Sequence, residues 1–169
     1  WRAHLYVTGR AGAGKSTFAR LLGAMFGKAA ARPTGQLTQA GLLQTLGARA
    51  IPCIVDETEA GKSNRSTLAA LEVARWASSM SEADDGVLRG TAGGRAIAYR
   101  VFSPFAFLGI NLPKLEHADQ SRAVTLEMLS QRRRADSMVP RLLTDERHAV
   151  QLGRKLRRLA IGRWPVFKA

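Results

Sequence analysis

The residues best suited to chemistry form the stretch Gly9-Arg10-Ala11-Gly12-Ala13-Gly14-Lys15-Ser16-Thr17, which matches G-x-x-x-x-G-K-[ST] at every fixed position. Glycines let such a loop curl until its backbone N–H groups point inward at phosphate oxygens. Lys15 then reaches the β- and γ-phosphates as a compact charge, and Ser16 offers its hydroxyl to Mg2+. A helix that begins here aims its positive dipole end at the same anion. The stretch therefore predicts a cradle for Mg-ATP made by Gly9 through Thr17.

A second group of polar residues sits at the ends of apolar runs. Ala50-Ile51-Pro52-Cys53-Ile54-Val55-Asp56-Glu57 reads as a buried parallel strand that delivers two carboxylates at its C-terminal end. Asp56 there would hold the Mg2+ shell through water, and Glu57 would polarise an attacking water. A second acid leans toward NTP hydrolysis, since a kinase acceptor hydroxyl replaces the water. The plainer alternative is two acids that open a surface loop. Phe105-Ala106-Phe107-Leu108-Gly109-Ile110-Asn111 is another buried strand ending in a polar residue. Ligands in open parallel sheets lie at the carboxyl ends of strands, so Asn111 would face the crevice of Lys15 and Asp56. It could equally be a turn former before Leu112-Pro113. Arg122 enters a last core strand over Ala123–Leu129 from the edge opposite that crevice. An arginine so placed suits work on a neighbour's nucleotide; an ion pair with Asp119 is the alternative.

The elements that must position these groups are legible from periodicity. His4–Thr8 is β-prone, and Phe18, Leu21, Leu22, Met25 and Phe26 fall on one helical face after the loop. Strand, glycine-rich loop and helix is the context that the motif requires. Thr38–Leu46 predicts a short helix burying Ala40, Leu43 and Leu46 and stopped by Gly47. Ser66–Met80 predicts another, capped by Ser66 or Thr67, with Ala69, Val73, Trp76, Ala77 and Met80 as its stripe. Val87–Thr91 and Arg95–Phe102 around Gly93-Gly94 predict a β-hairpin. Its arginines Arg89, Arg95 and Arg100 either solubilise an exposed hairpin or touch a phosphate backbone. A tail helix is predicted from Asp145 to Trp164, capped by Thr144, with Ala149, Leu152, Leu156 and Leu159 on one face.

Bulk composition narrows the partners. The 169 residues suffice for one domain with a core, and 26 Lys+Arg against 13 Asp+Glu give a net charge of +13. That imbalance suggests a polyanion, most simply nucleic acid, unless it is inherited from an arginine-rich proteome. The lone Cys53 excludes an internal disulfide or a cysteine-based zinc site. No apolar run approaches the length of a membrane span, so a cytoplasmic location without membrane contact is expected. Beginning at Trp1, close before the first strand, the chain reads as a piece of a longer protein.

The order Gly9–Ser16, Asp56-Glu57, basic hairpin, Asn111, then Asp119-x-Ser121-Arg122 resembles the AAA+ and superfamily-three helicase branch of P-loop ATPases. It is most similar to the ATPase modules of phage and prophage primase–helicases, over roughly Leu5 to Leu129. The resemblance implies an α/β P-loop NTPase: a three-layer sandwich around a mainly parallel sheet, with a basic hairpin insertion and a C-terminal helix. Residues 1–130 would be the ATPase core, with the hairpin at about 86–102, and 131–169 a basic helical segment. It implies ATP and Mg2+ as cofactors and a homo-oligomeric, hexameric ring that acts on single-stranded or forked DNA. Lys15 and Ser16 would bind phosphate and metal, and Asp56 and Glu57 would be the Walker B pair. Asn111 would be sensor 1, and Arg122 the arginine finger reaching into the next subunit. Arg95 would stand at the hairpin tip, where such hairpins often carry Lys or His, and face DNA. A small-molecule or nucleotide kinase and an ATP-switched regulatory module are the rival readings.

Overall fold

A computed structural model describes residues 2–56, 65–90, 93–110, 112–129 and 146–163. Four strands form one parallel sheet: β1 (His4–Gly9), β2 (Cys53–Asp56), β5 (Phe105–Leu108) and β6 (Ala123–Met128), in the order β2-β5-β1-β6. Two-residue alternation divides their side chains between two faces. Tyr6, Cys53, Val55, Phe105 and Phe107 point to one face, beneath α2 (Gln39–Leu46) and α3 (Arg65–Ser79). Val7, Ile54, Ala106 and Leu108 point to the other, beneath α1 (Lys15–Phe26). Apolar residues on both faces are what a parallel sheet covered by helices requires, and the result is three layers. The rings of Phe105 and Phe107 stack with centroids 5.7 Å apart at the centre of the larger core.

The helices form largely where periodicity placed them, but several buried faces differ. Thr38 caps α2 by accepting from the backbone N–H of Gly41, and Gly47 ends the helix. Its inward residues are Leu42, Leu43 and Leu46, while Ala40 is exposed. In α3, Val73 and Ala77 of the predicted stripe are fully buried and Trp76 and Met80 pack against the core, but Ala70, Leu71 and Ala74 share the contact while Ala69 sits at the margin. Ser66 accepts from Leu37 N–H at 3.0 Å, tying α3 to the segment before α2. The β6 strand is an edge strand rather than a core strand: Val124 and Leu126 are 54% and 43% exposed. Cys53 is fully buried, and burial pushes its thiol up to about 12, which makes it an inert packing residue.

The hairpin pairs β3 (Val87–Gly90) antiparallel with β4 (Ala96–Tyr99) and stands apart from the main sheet. Val87 and Tyr99 pack against the larger core, whereas Leu88 on the opposite face is 67% exposed.

After the short α4 (His117–Gln120), the last described helix, α5 (Glu146–Gly162), lies across α1. The predicted leucine stripe does not make this contact. Ala149 and Gly153 are buried, and Leu152, Leu156 and Leu159 remain 48%, 47% and 57% exposed. The reason is close backbone approach: a Cβ built on Gly153 would lie 1.9 Å from the Met25 carbonyl oxygen. With so little separation only small residues fit the seam. Arg157 completes it, donating Nη1 to Met25 O at 3.0 Å and Phe26 O at 2.9 Å and so capping the last carbonyls of α1. Thr144, Asp145 and Trp164 of the predicted helix, and the Arg132–Arg134 run, lie outside the described residues. No described helix is long and apolar enough to cross a membrane.

At the amino-terminal rim of the sheet, His4 is buried with a defined tautomer. Its Nδ1 accepts from Phe105 N–H at 3.1 Å, so Nε2 carries the proton and donates toward Ala74 O at 2.9 Å and Ser78 Oγ at 2.6 Å. Burial holds the imidazole below the usual histidine range. The Ala74 carbonyl opposes that shift, the Arg122 charge adds to it, and the Asp119 charge opposes it.

Two outcomes follow from this packing. Gly153→Ala should lower stability by about 1–3 kcal/mol, read as a shifted denaturant midpoint, with amide exchange accelerating in both α1 and α5. Because folded His4 resists protonation, the unfolded chain binds its proton first as pH falls. Stability should therefore drop below about pH 6.5, by at most about 1.4 kcal/mol per pH unit, and His4→Asn should flatten that slope. Asp119, whose carboxyl is held low, contributes its pH dependence only in the more acidic carboxylate range, so the two windows separate.

Candidate nucleotide site

The site is built where β1 ends and α1 begins. Gly12 and Gly14 take left-handed φ angles of 74° and 92°, which side chains rarely adopt, and so allow the loop to curl back before Lys15. Gly14 is the N-cap and offers no side chain to the first-turn N–H groups, which are left for an anion. Lys15 is buried over its own loop, with Nζ donating to Gly9 O at 2.8 Å and Arg10 O at 2.7 Å. Ala13 N–H closes the turn on Arg10 O at 3.2 Å. Arg10, Ala11 and Gly12 are exposed and Ala13 half-buried, so the loop backbone is open to a ligand.

Asp56 ends β2 beside this loop, where the Ser16 hydroxyl and the Lys15 charge act on its carboxylate. Burial pushes the Asp56 carboxyl above its usual range, opposed by the charge of Arg32, the Ser16 hydroxyl and the charge of Lys15, in that order. Two oxygen donors in one neighbourhood, next to an anion cradle, fit Mg2+, which needs one or two protein oxygens and fills its shell with water and phosphate. No cluster of three His, Cys, Asp or Glu is present among the described residues, and such a site does not call for one. The β5 strand pairs with both β1 and β2, so the strand leading to Asn111 runs between Lys15 and Asp56. Asn111 and Glu57 themselves lie outside the described residues.

Arg32 is a site residue that the sequence reading missed. Ala31 extends the sheet past β2, donating to Pro52 O at 2.8 Å and accepting from Ile54 N–H at 2.9 Å. The Arg32 side chain then lies across Gly23 of α1, where a Cβ would meet Arg32 Cδ and Nη1 at 2.8 Å. Its charge acts on Asp56 more strongly than that of Lys15. An arginine in a turn-rich connection carries no local signal; only the sheet edge puts it beside the acid.

The remaining candidates lie elsewhere. Arg122 precedes β6 at the far rim, with its carbonyl accepting from His4 N–H at 2.8 Å. The six residues of β1 separate that rim from the loop, about 17 Å at strand rise. Asp119 is paired with Arg75 instead of Arg122. On the hairpin, Arg89 shares the inward face with Val87 and Tyr99, donates to Gln39 Oε1 and lies 5.8 Å over the Trp76 ring. Gln39 in turn donates to Glu72, so Arg89 fastens the hairpin to α2 and α3. Arg95 and Arg100 are exposed.

No protein-family model matches the chain, and no curated protein matches it. The functional reading therefore rests on the site itself.

Lys15→Ala should weaken Mg-ATP binding at least about tenfold in a titration with a fluorescent ATP analogue, the usual cost of a lost charged hydrogen bond. Asp56→Asn should weaken binding in Mg2+ but not in EDTA. Equal losses in both buffers would remove Asp56 from the metal shell.

Proposed function

We propose that this chain is a Mg-ATP-hydrolysing motor domain of the AAA+ and superfamily-three helicase type, acting on DNA as a homo-oligomeric ring. The observation that carries the reading is the juxtaposition at one sheet edge of the buried Lys15 ammonium over a left-handed glycine loop with the Asp56 carboxylate at the end of β2, on which the Ser16 hydroxyl and the Lys15 charge both act. Lys15 leaves the loop carbonyls for the β- and γ-phosphates, and the α1 N-terminus and loop N–H groups take the remaining phosphate oxygens. Ser16 and Asp56 hold the metal, which when bound neutralises charge on the phosphates. Glu57 orients the attacking water, and Asn111 contacts the terminal phosphate. Arg122, on the rim away from its own loop, serves the nucleotide of the adjacent copy.

The net charge of +13 and the exposed Arg95 and Arg100 support contact with a phosphate backbone. Arg89, engaged with Gln39 and Trp76, belongs to the support of the hairpin more than to its outer surface.

Steady-state ATP hydrolysis with and without single-stranded DNA, beside Glu57→Gln, tests the reading. Stimulation by DNA that vanishes in the variant is the expected result. Turnover indifferent to DNA would redirect the assignment to a kinase, and binding without turnover to an ATP-switched module.

A further inference from the structure

A well-defined ion pair sits at the amino-terminal rim, outside the nucleotide site. Arg75 of α3 donates Nε to Asp119 Oδ1 at 2.8 Å and Nη2 to Asp119 Oδ2 at 2.6 Å. Both arms of the guanidinium fork are used, the most directional geometry for such a pair. Nη2 also lies 3.2 Å from Glu116 Oε2. Asp119 is only 7% exposed, so its charge has little water to fall back on. The hydrogen bonds from Arg75 hold its carboxyl below the usual range, against the opposing effect of burial.

Arg122 closes the same turn. Its backbone N–H donates to Asp119 O at 3.0 Å and its carbonyl accepts from His4 N–H at 2.8 Å, so the backbone is pinned on both sides. Arg75, Asp119 and Arg122 line one small cavity. The charge of Arg122 acts on Asp119 and His4 at this rim, yet among the described residues its guanidinium makes no hydrogen bond or ion pair. Its nearest acidic neighbour in sequence is already taken.

We infer that Arg75 is a positioning residue for Arg122: by engaging both oxygens of Asp119 it fixes the turn and keeps that buried carboxylate from capturing the Arg122 guanidinium, which stays available to a nucleotide held by an adjacent copy. The inference rests on the trans-acting role given to Arg122 above. It also gives α3 a second task. The helix bears Arg75 at the rim opposite Asp56, so it takes part in both the core packing and the placement of Arg122.

The test is a double-mutant cycle on the assembled chain, with kcat and KM for Mg-ATP measured in the presence of single-stranded DNA. Arg122→Ala should lower kcat by about 10³–10⁵. Arg75→Ala should lower kcat by about a hundredfold or more, with KM for ATP within about threefold, the signature of an interaction made only in the transition state. Added to Arg122→Ala, it should cost nothing further in kcat, because it acts only through Arg122. A purely structural role would cost the same factor in both backgrounds, and that result, or a kcat unchanged by Arg75→Ala alone, overturns the inference. Arg75→Lys, which keeps the charge but not the fork, goes through the same cycle if Arg75→Ala does not fold. If Arg122→Ala leaves kcat intact, the reading of Arg122 itself falls, and this inference with it.

Discussion

A parallel sheet has polarity: every strand starts at one rim and ends at the other, and the backbone hydrogen bonds between β2, β5, β1 and β6 enforce it across the whole protein. All the chemistry depends on that constraint. At the carboxyl rim it collects Lys15, Ser16, Asp56 and Arg32 from three separate stretches of chain. At the amino rim it collects His4, Arg75, Asp119 and Arg122. The first group surrounds a loop whose backbone is open to an anion. In the second, burial of His4 and Asp119 is offset by hydrogen bonds, and Arg122 is held through its backbone alone. The two rims cannot exchange roles, because strand length separates them.

The helices fasten this arrangement by different means on the two faces. On the α2/α3 face, apolar burial dominates, with Leu42, Leu43 and Leu46 set against Phe105 and Phe107. On the other face, α1 is held between the sheet and α5, and the α1–α5 seam is made by small residues and one arginine. Gly153 permits contact at backbone distance, and Arg157 satisfies carbonyls at the α1 C-terminus that no intrahelical donor reaches. The helix bearing the lysine of the loop is thus braced from outside as well as from the core.

Charge is distributed unevenly between structural and available groups. Several of the arginines that give the chain its excess are committed inside the fold: Arg75 to Asp119, Arg89 to Gln39 and Trp76, and Arg157 to α1. Arg2 likewise donates to Ala77 O and Met80 O beneath the end of α3. Guanidinium groups suit this use because a planar fork can satisfy two acceptors at once. Net charge alone therefore overstates the cationic surface offered to a polyanion.

The sequence by itself determined the strand–loop–helix unit, the acid at the end of β2 and most element boundaries. These depend on local requirements: glycine where φ is positive, threonine where α2 starts, a continuous apolar run where a strand has two buried faces. It could not determine which helix faces meet, because periodicity gives an apolar stripe without the distance to its partner. Hence Leu152, Leu156 and Leu159 reach solvent while Gly153 takes the seam. Nor could it show that Arg32 stands beside Asp56, that Arg75 rather than Arg122 holds Asp119, or that Arg89 turns inward. Those pairings join residues far apart in the chain, and a long flexible cation offers no spacing rule by which to read its partner. Only the tertiary structure decided them, through the order of the strands and the edge at which each segment arrives.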